Sequence, residues 1–254
     1  LFIVIILLSS CTTVRVHIEP STPTQKEKNV SEINRNNLFE SGEVIIIRDD
    51  WGTPHIYGKS DSDAAFGLAY AHAQDDFITI HDQVLHSRGD YASVYGRGDN
   101  NINALFDYLV GVLKIEEIID RDYQSLSKET IAICEGYADG LNYYIEKNKN
   151  DIKQFIYPIT GEDVVRGFMF KNPFFFDVPI YFALLYDRAP EDVPSRITHK
   201  DIIDLIKPKD SNAFAVSPER TSDKSTFLAI NAHQPWTGDL AWYEAHIHSE
   251  EGWN

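Results

Sequence analysis

Ser211-Asn212-Ala213-Phe214-Ala215-Val216-Ser217, then a turn-rich stretch over 218–225, then Thr226-Phe227-Leu228-Ala229-Ile230-Asn231 decide how the chain is read. Two strand-like runs around a segment of Pro, Asp, Ser and Lys predict a β-hairpin. Symmetry about Ser222 sets His233 opposite Ser211. Directly opposed residues have Cβ atoms roughly 4.5–5.5 Å apart, so a hydroxyl and an imidazole would meet across the ladder. A one-residue slip of register would separate them.

Upstream of the hairpin the texture changes. Residues 188–210, opening Arg188-Ala189-Pro190-Glu191-Asp192-Val193-Pro194, are charged and proline-marked and read as a connector. Before them Phe66, Tyr70, Ala73, Phe77, Ile80 and Val84 recur at spacings that fit one face of a long helix from Asp61, closing near Gly89. Helical patterns also run through 104–119 and 127–147. In the latter, Cys134 shares a stripe with Tyr137, Leu141 and Ile145, which marks a core thiol rather than a nucleophile. Thr160-Gly161-Glu162-Asp163 caps a further short helix, which Asn172-Pro173 is expected to break. The Phe174, Phe175 and Phe176 that follow either line an acyl pocket or fill the core. Short strands are expected at Val44-Ile45-Ile46-Ile47-Arg48 and His55-Ile56-Tyr57, around a turn.

At the left end an apolar run, Leu1 to Leu8, falls short of the ~20 residues of a membrane-spanning helix and reads as the end of a signal peptide. Leu8-Ser9-Ser10-Cys11 resembles a bacterial lipobox, which makes Cys11 a lipidation site; the alternative is an ordinary secretory signal with an incidental cysteine. Residues 12–40 have the composition of a flexible tether. These features predict an exported, lipid-anchored protein of the bacterial cell envelope. At the right end the strand-like run 242–254 is expected to pair with chain further downstream.

Of 254 residues 43% are apolar, enough for a sizeable core and too many for intrinsic disorder. A net charge of −16 opposes nucleic acid and anionic membranes, which leaves a lipid anchor as the expected membrane contact. Two cysteines exclude a disulfide scaffold. No Gly-x-Ser-x-Gly elbow occurs, Gly52…Gly58-Lys59-Ser60 is too long for a phosphate loop, and Gly96-x-Gly98 lacks its third glycine. His72, Asp75, Asp76 and His81 read as hydrogen-bonded or solvated positions. Glu244, His246 and His248 alternate along one strand face and suggest, as a rival, a metal-dependent hydrolase.

Arg48-Asp49-Asp50-Trp51-Gly52-Thr53-Pro54-His55-Ile56-Tyr57-Gly58, with Asp61-Ser62-Asp63-Ala64-Ala65-Phe66-Gly67-Leu68-Ala69-Tyr70-Ala71-His72-Ala73-Gln74-Asp75-Asp76, closely resembles the start of the α chain of the penicillin acylase family. Ser211-Asn212-Ala213-Phe214-Ala215-Val216 is similar to the start of that family's β chain, and Asn231-Ala232-His233-Gln234-Pro235 follows in the family's order. The family includes penicillin acylases and acyl-homoserine lactone acylases, which are N-terminal nucleophile hydrolases. The resemblance implies an α+β, αββα fold with a largely helical α-chain region over 41–187, a spacer over 188–210 and a β chain starting at 211. It implies self-cleavage between Asp210 and Ser211, with Ser211 then both nucleophile and bearer of the α-amino base. His233 takes an orienting role; a merely structural histidine is the alternative. Phe214 joins Phe174, Phe175 and Phe176 as acyl-pocket candidates.

No cofactor is expected for catalysis. The resemblance also implies a structural calcium, with Asp177 a candidate ligand. The substrate is a small N-acyl amide: a penicillin, an acyl-homoserine lactone or a related acyl-amine. The chain's own downstream β chain is the expected partner, and the family's oxyanion-hole residues are expected beyond Asn254, so that this stretch alone should be nearly inactive. Asp210 stands where the family usually has glycine, which implies slower self-cleavage. An unprocessed, non-catalytic surface lipoprotein is a further rival.

Overall fold

The computed structural model describes residues 12–17, 43–152, 156–175, 211–233, 236–238 and 240–253. Its central element is α1, Asp61–Arg88. The Ser60 side chain accepts from the Asp63 N–H while the Asp63 carboxylate accepts from the Ser60 N–H, a reciprocal cap that fixes the start. Gly89, at φ 73°, takes the left-handed turn that ends the helix. Midway, Asp76 leaves helical geometry at φ −151° and ψ 63°, and its carboxylate caps the second half by accepting from the Thr79 N–H at 3.2 Å.

Two short helices follow, α2 at Tyr91–Tyr95 and α3 at Ile102–Val112, then α4 at Ile115–Asp122. The single helix expected over 104–119 is thus two, because Lys114 turns left-handed at φ 54°. α5, Lys128–Lys147, is capped by the Ser127 hydroxyl accepting from the Thr130 N–H. α6, Gly161–Phe175, runs through Pro173 instead of breaking at Asn172-Pro173. That proline lies near the helix's last turn, where the missing N–H interrupts little of the ladder.

The seam between α1 and α5 depends on two glycines. A Cβ at Gly140 would stand 2.3 Å from the Phe66 carbonyl oxygen, and one at Gly136 2.4 Å from that of Ser62. The backbones therefore approach closely, and the Ser62 hydroxyl donates to the Ala132 carbonyl across the seam at 2.8 Å. Ala69, Ala73, Leu85, Ala138, Leu141, Ile145 and Ile156 are buried there. Each large aliphatic side chain stabilises the fold by about 1.5–3 kcal/mol relative to exposure. Cys134 is a buried free thiol, as its stripe predicts, and burial pushes its pKa up.

The strands β1 (Thr12–His17), β2 (Glu43–Arg48), β3 (Pro54–Gly58) and β6 (His246–Ser249) form one sheet in the order β1-β2-β3-β6. β1 and β2 pair antiparallel with Val14 opposite Ile46, so the first six residues of the expected tether are strand. β2 and β3 pair antiparallel, Ile46 opposite Ile56. Val44, Ile46 and Ile56 bury their side chains with Phe66 and Ala71 of α1. β6 joins β3 in parallel, Ile56 opposite Ile247. The remaining strands, β4 (Asn212–Val216) and β5 (Phe227–Asn231), make a separate antiparallel ribbon. The chain is α+β, as expected, with α1 to α6 falling in sequence between β3 and β4. No described helix is long and apolar enough to cross a membrane.

Candidate active site

Ser211 stands exposed immediately before β4. The expected hairpin forms, but its register is shifted by one residue. Asn212 pairs with Asn231 and Val216 with Phe227, which puts Ala232, not His233, opposite Ser211. The loop sets this parity: a 3-10 turn at Pro218–Arg220 is followed by the Thr221 hydroxyl donating to the Ser225 carbonyl at 2.8 Å. The Ser211 hydroxyl accordingly donates to the Ala232 carbonyl at 3.3 Å.

His233 is still drawn to the same end of the ribbon, by other means. Its backbone turns left-handed at φ 48°, and its N–H donates to the Asn231 side-chain oxygen at 3.0 Å. Its ring Nε2 lies 3.3 Å from the side-chain nitrogen of Asn212, the residue after the candidate nucleophile. The sequence comparison of Ser211 with His233 therefore finds the right end of the ribbon through the wrong contact.

Asp210, Cys11, Phe176 and Asp177 lie outside the described residues. Phe174 and Phe175 end α6. Phe214, on β4, is 64% exposed. Glu244, His246 and His248 do not converge. The His246 ring stacks flat on His55 with centroids 4.4 Å apart, and His248 tilts over Tyr57 at 5.7 Å. Each histidine pairs with its cross-strand neighbour on β3, and among the described residues no group of three potential metal ligands is close enough to hold an ion. With each histidine ring engaged by its β3 neighbour, these residues do not form the metal patch that their alternation suggested.

A second polar cluster joins the chain before and after the connector. The Tyr243 hydroxyl donates to Asp75 in a short hydrogen bond, and the Tyr243 ring stacks on His72 with centroids 4.4 Å apart. Arg48 donates to the same Asp75 carboxylate at 2.9 Å and to the Ala71 carbonyl at 3.3 Å. His72 Nδ1 lies 3.1 Å from the Tyr137 hydroxyl. Burial holds the His72 imidazole below its ordinary pKa, against the pull of Asp76. Burial and Asp75 push the Tyr243 phenol up. Further along, the Ser249 hydroxyl donates to Asp61, the Asp61 N–H donates to the Glu251 carboxylate at 2.8 Å, and the Glu250 N–H donates to the Gly58 carbonyl at 3.2 Å. Periodicity carried no sign of this clasp, because it matches side chains from opposite ends of the chain.

Known proteins bear on this arrangement. The acyl-homoserine lactone acylase PvdQ of Pseudomonas fluorescens is 24% identical over 224 residues, covering 80% of this chain and 28% of its own length. Penicillin G acylase of Escherichia coli is 27% identical over 178 residues, covering 66% of this chain and 19% of its own. The chain thus spans less than a third of the length of these relatives. A solved chain of the thermostable penicillin G acylase of Alcaligenes faecalis superimposes with a TM-score of 0.45 at 25% identity, over 61% of this chain and 98% of that one. The family model described as penicillin amidase matches residues 43–254, the whole span from β2 through the clasp. The chain belongs to the penicillin amidase family.

Proposed function

We propose that the chain is part of a self-processing amidohydrolase in which Ser211 becomes an N-terminal nucleophile. The observation that carries this reading is the placing of an exposed serine at the mouth of the β4–β5 ribbon, within the span that fits the family. In the continuous chain the Ser211 nitrogen is an amide and is not basic. Cleavage of the Asp210–Ser211 bond turns it into an α-amine with a reference pKa of about 7.7–8.0, partly neutral near pH 7.

That amine takes the proton of the Ser211 hydroxyl, directly or through a water, as Oγ attacks the acyl carbonyl. The tetrahedral adduct collapses to an acyl ester on Oγ, and the same proton leaves on the amine product. Water then hydrolyses the ester, which releases the carboxylic acid and restores the hydroxyl. The relatives are named as acylases of acyl-homoserine lactones and of penicillin G, whose shared chemistry is an acyl group on a nitrogen. The substrate proposed is a small N-acyl amide of that class. The Tyr243–Asp75 clasp and the β3–β6 ladder suit such processing, since they tie the two parts together without the cut bond.

Mass and N-terminal sequence of the products from the full-length protein test the reading. A product beginning Ser-Asn-Ala-Phe supports it. Ser211→Ala is expected to leave one uncut chain without amidase activity, whereas an active enzyme with the bond intact overturns it.

A further inference from the structure

The hydrogen bond between Asn212 and His233 has a directional consequence. In the orientation the structure gives the Asn212 amide, its nitrogen faces His233 Nε2 at 3.3 Å, and since an amide nitrogen donates only, Nε2 is the accepting nitrogen in this arrangement. The ring proton then resides on Nδ1. The backbone is held to match: Asn231 accepts from the His233 N–H and stabilises the left-handed turn that swings the ring back toward Asn212. A left-handed, non-glycine residue is costly and persists where its surroundings over-determine it. Asn212 and Asn231 face each other across the ladder, so one directly opposed pair fixes both the ring and the backbone of His233.

We infer that Asn212 and Asn231 are positioning residues that fix His233 as a hydrogen-bond donor through Nδ1 and deny it the role of base. The inference rests on the reading of Ser211 as nucleophile and deepens it. With Nε2 engaged, the imidazole offers no free lone pair to the Ser211 proton, and the α-amine remains the base. His233 instead presents an N–H, the group that suits an oxygen gaining negative charge.

Side-chain 15N shifts of His233 test the assignment, measured in the Ser211→Ala background so that self-cleavage does not intervene. The expected spectrum has a protonated Nδ1 and an unprotonated Nε2. Asn212→Asp, which places an acceptor where the donor was, is expected to reverse the two; Asn212→Ala is expected to give a tautomer mixture. In the full-length protein with Ser211 present, Asn212→Ala should lower kcat about tenfold, the scale of one lost hydrogen bond, and leave KM within about twofold. Protonated Nε2 in the unaltered ring, or 15N shifts indifferent to both substitutions, overturns the inference. A Ser211→Ala chain that is still cut before residue 211 overturns the nucleophile reading instead, so the two failures are distinguishable.

Discussion

The α1–α5 seam and the β4–β5 ribbon use similar apolar side chains to opposite ends. At the seam Ala69 and Ala138 are fully buried and Leu141 nearly so; on the ribbon Leu228 is 67% and Ile230 71% exposed. The difference teaches where stability resides and where the proposed chemistry would act. The helical body can hold charges out of water: the Asp163 carboxylate accepts from Arg88 at 2.6 and 2.8 Å and from Arg166 at 2.7 Å, with Arg166 also reaching Glu116 at 2.9 Å. Burial pushes the Asp163 pKa up, but the hydrogen bonds and charge of Arg88, with the Thr160 N–H and Arg166, outweigh it and hold the carboxylate below its ordinary value. The ribbon carries Ser211 and His233 on an exposed surface, which is expected to contribute little to the body's stability.

Four measurements press on that contrast. Asp163→Ala strands Arg166 beside Arg88 without their shared carboxylate, and chemical denaturation should register a loss of about 3–5 kcal/mol. Gly140→Ala drives a methyl against the Phe66 carbonyl and should cost about 1–3 kcal/mol, read in the same way. The acid limb of stability comes next. His72 is held below 6.5, so its stabilising contribution is full above 6.5 and declines as the pH falls below that value, because the unfolded chain takes the proton first. Asp163, held below 3.8, contributes fully above 3.8 and loses its share as the pH falls through its lowered value. Denaturation midpoints against pH should therefore fall in two windows, and His72→Gln should flatten the upper one. Smallest of all, Ile230→Thr should change stability by no more than about 0.5 kcal/mol. A loss several times larger would mean that the ribbon is docked and the contrast is mistaken.

The sequence was most legible where local chemistry decides. Periodicity read α1 from Asp61 to near Gly89 and α5 over 127–147, and the structure closes these ends with the Ser60 and Ser127 caps and the left-handed Gly89, which act within one turn. The ribbon was legible as a hairpin, but its register was not: Pro218–Arg220 winds part of the loop into a 3-10 turn, and symmetry about a central residue does not anticipate that parity. The ligand-like alternation of Glu244, His246 and His248 misled for a related reason, since it shows which residues share a face but not which neighbours they meet on β3. The Arg48–Asp75–Tyr243 cluster lay beyond periodicity altogether, because it depends on two distant parts of the chain meeting.

If the bond before Ser211 is cut as proposed, the parallel seating of β6 on β3 changes the reaction order of folding. An uncut chain completes that ladder as a first-order event. Two separated pieces must find each other, so recovery from denaturant would depend on protein concentration, and a processed molecule that has lost its fold would regain it slowly when dilute.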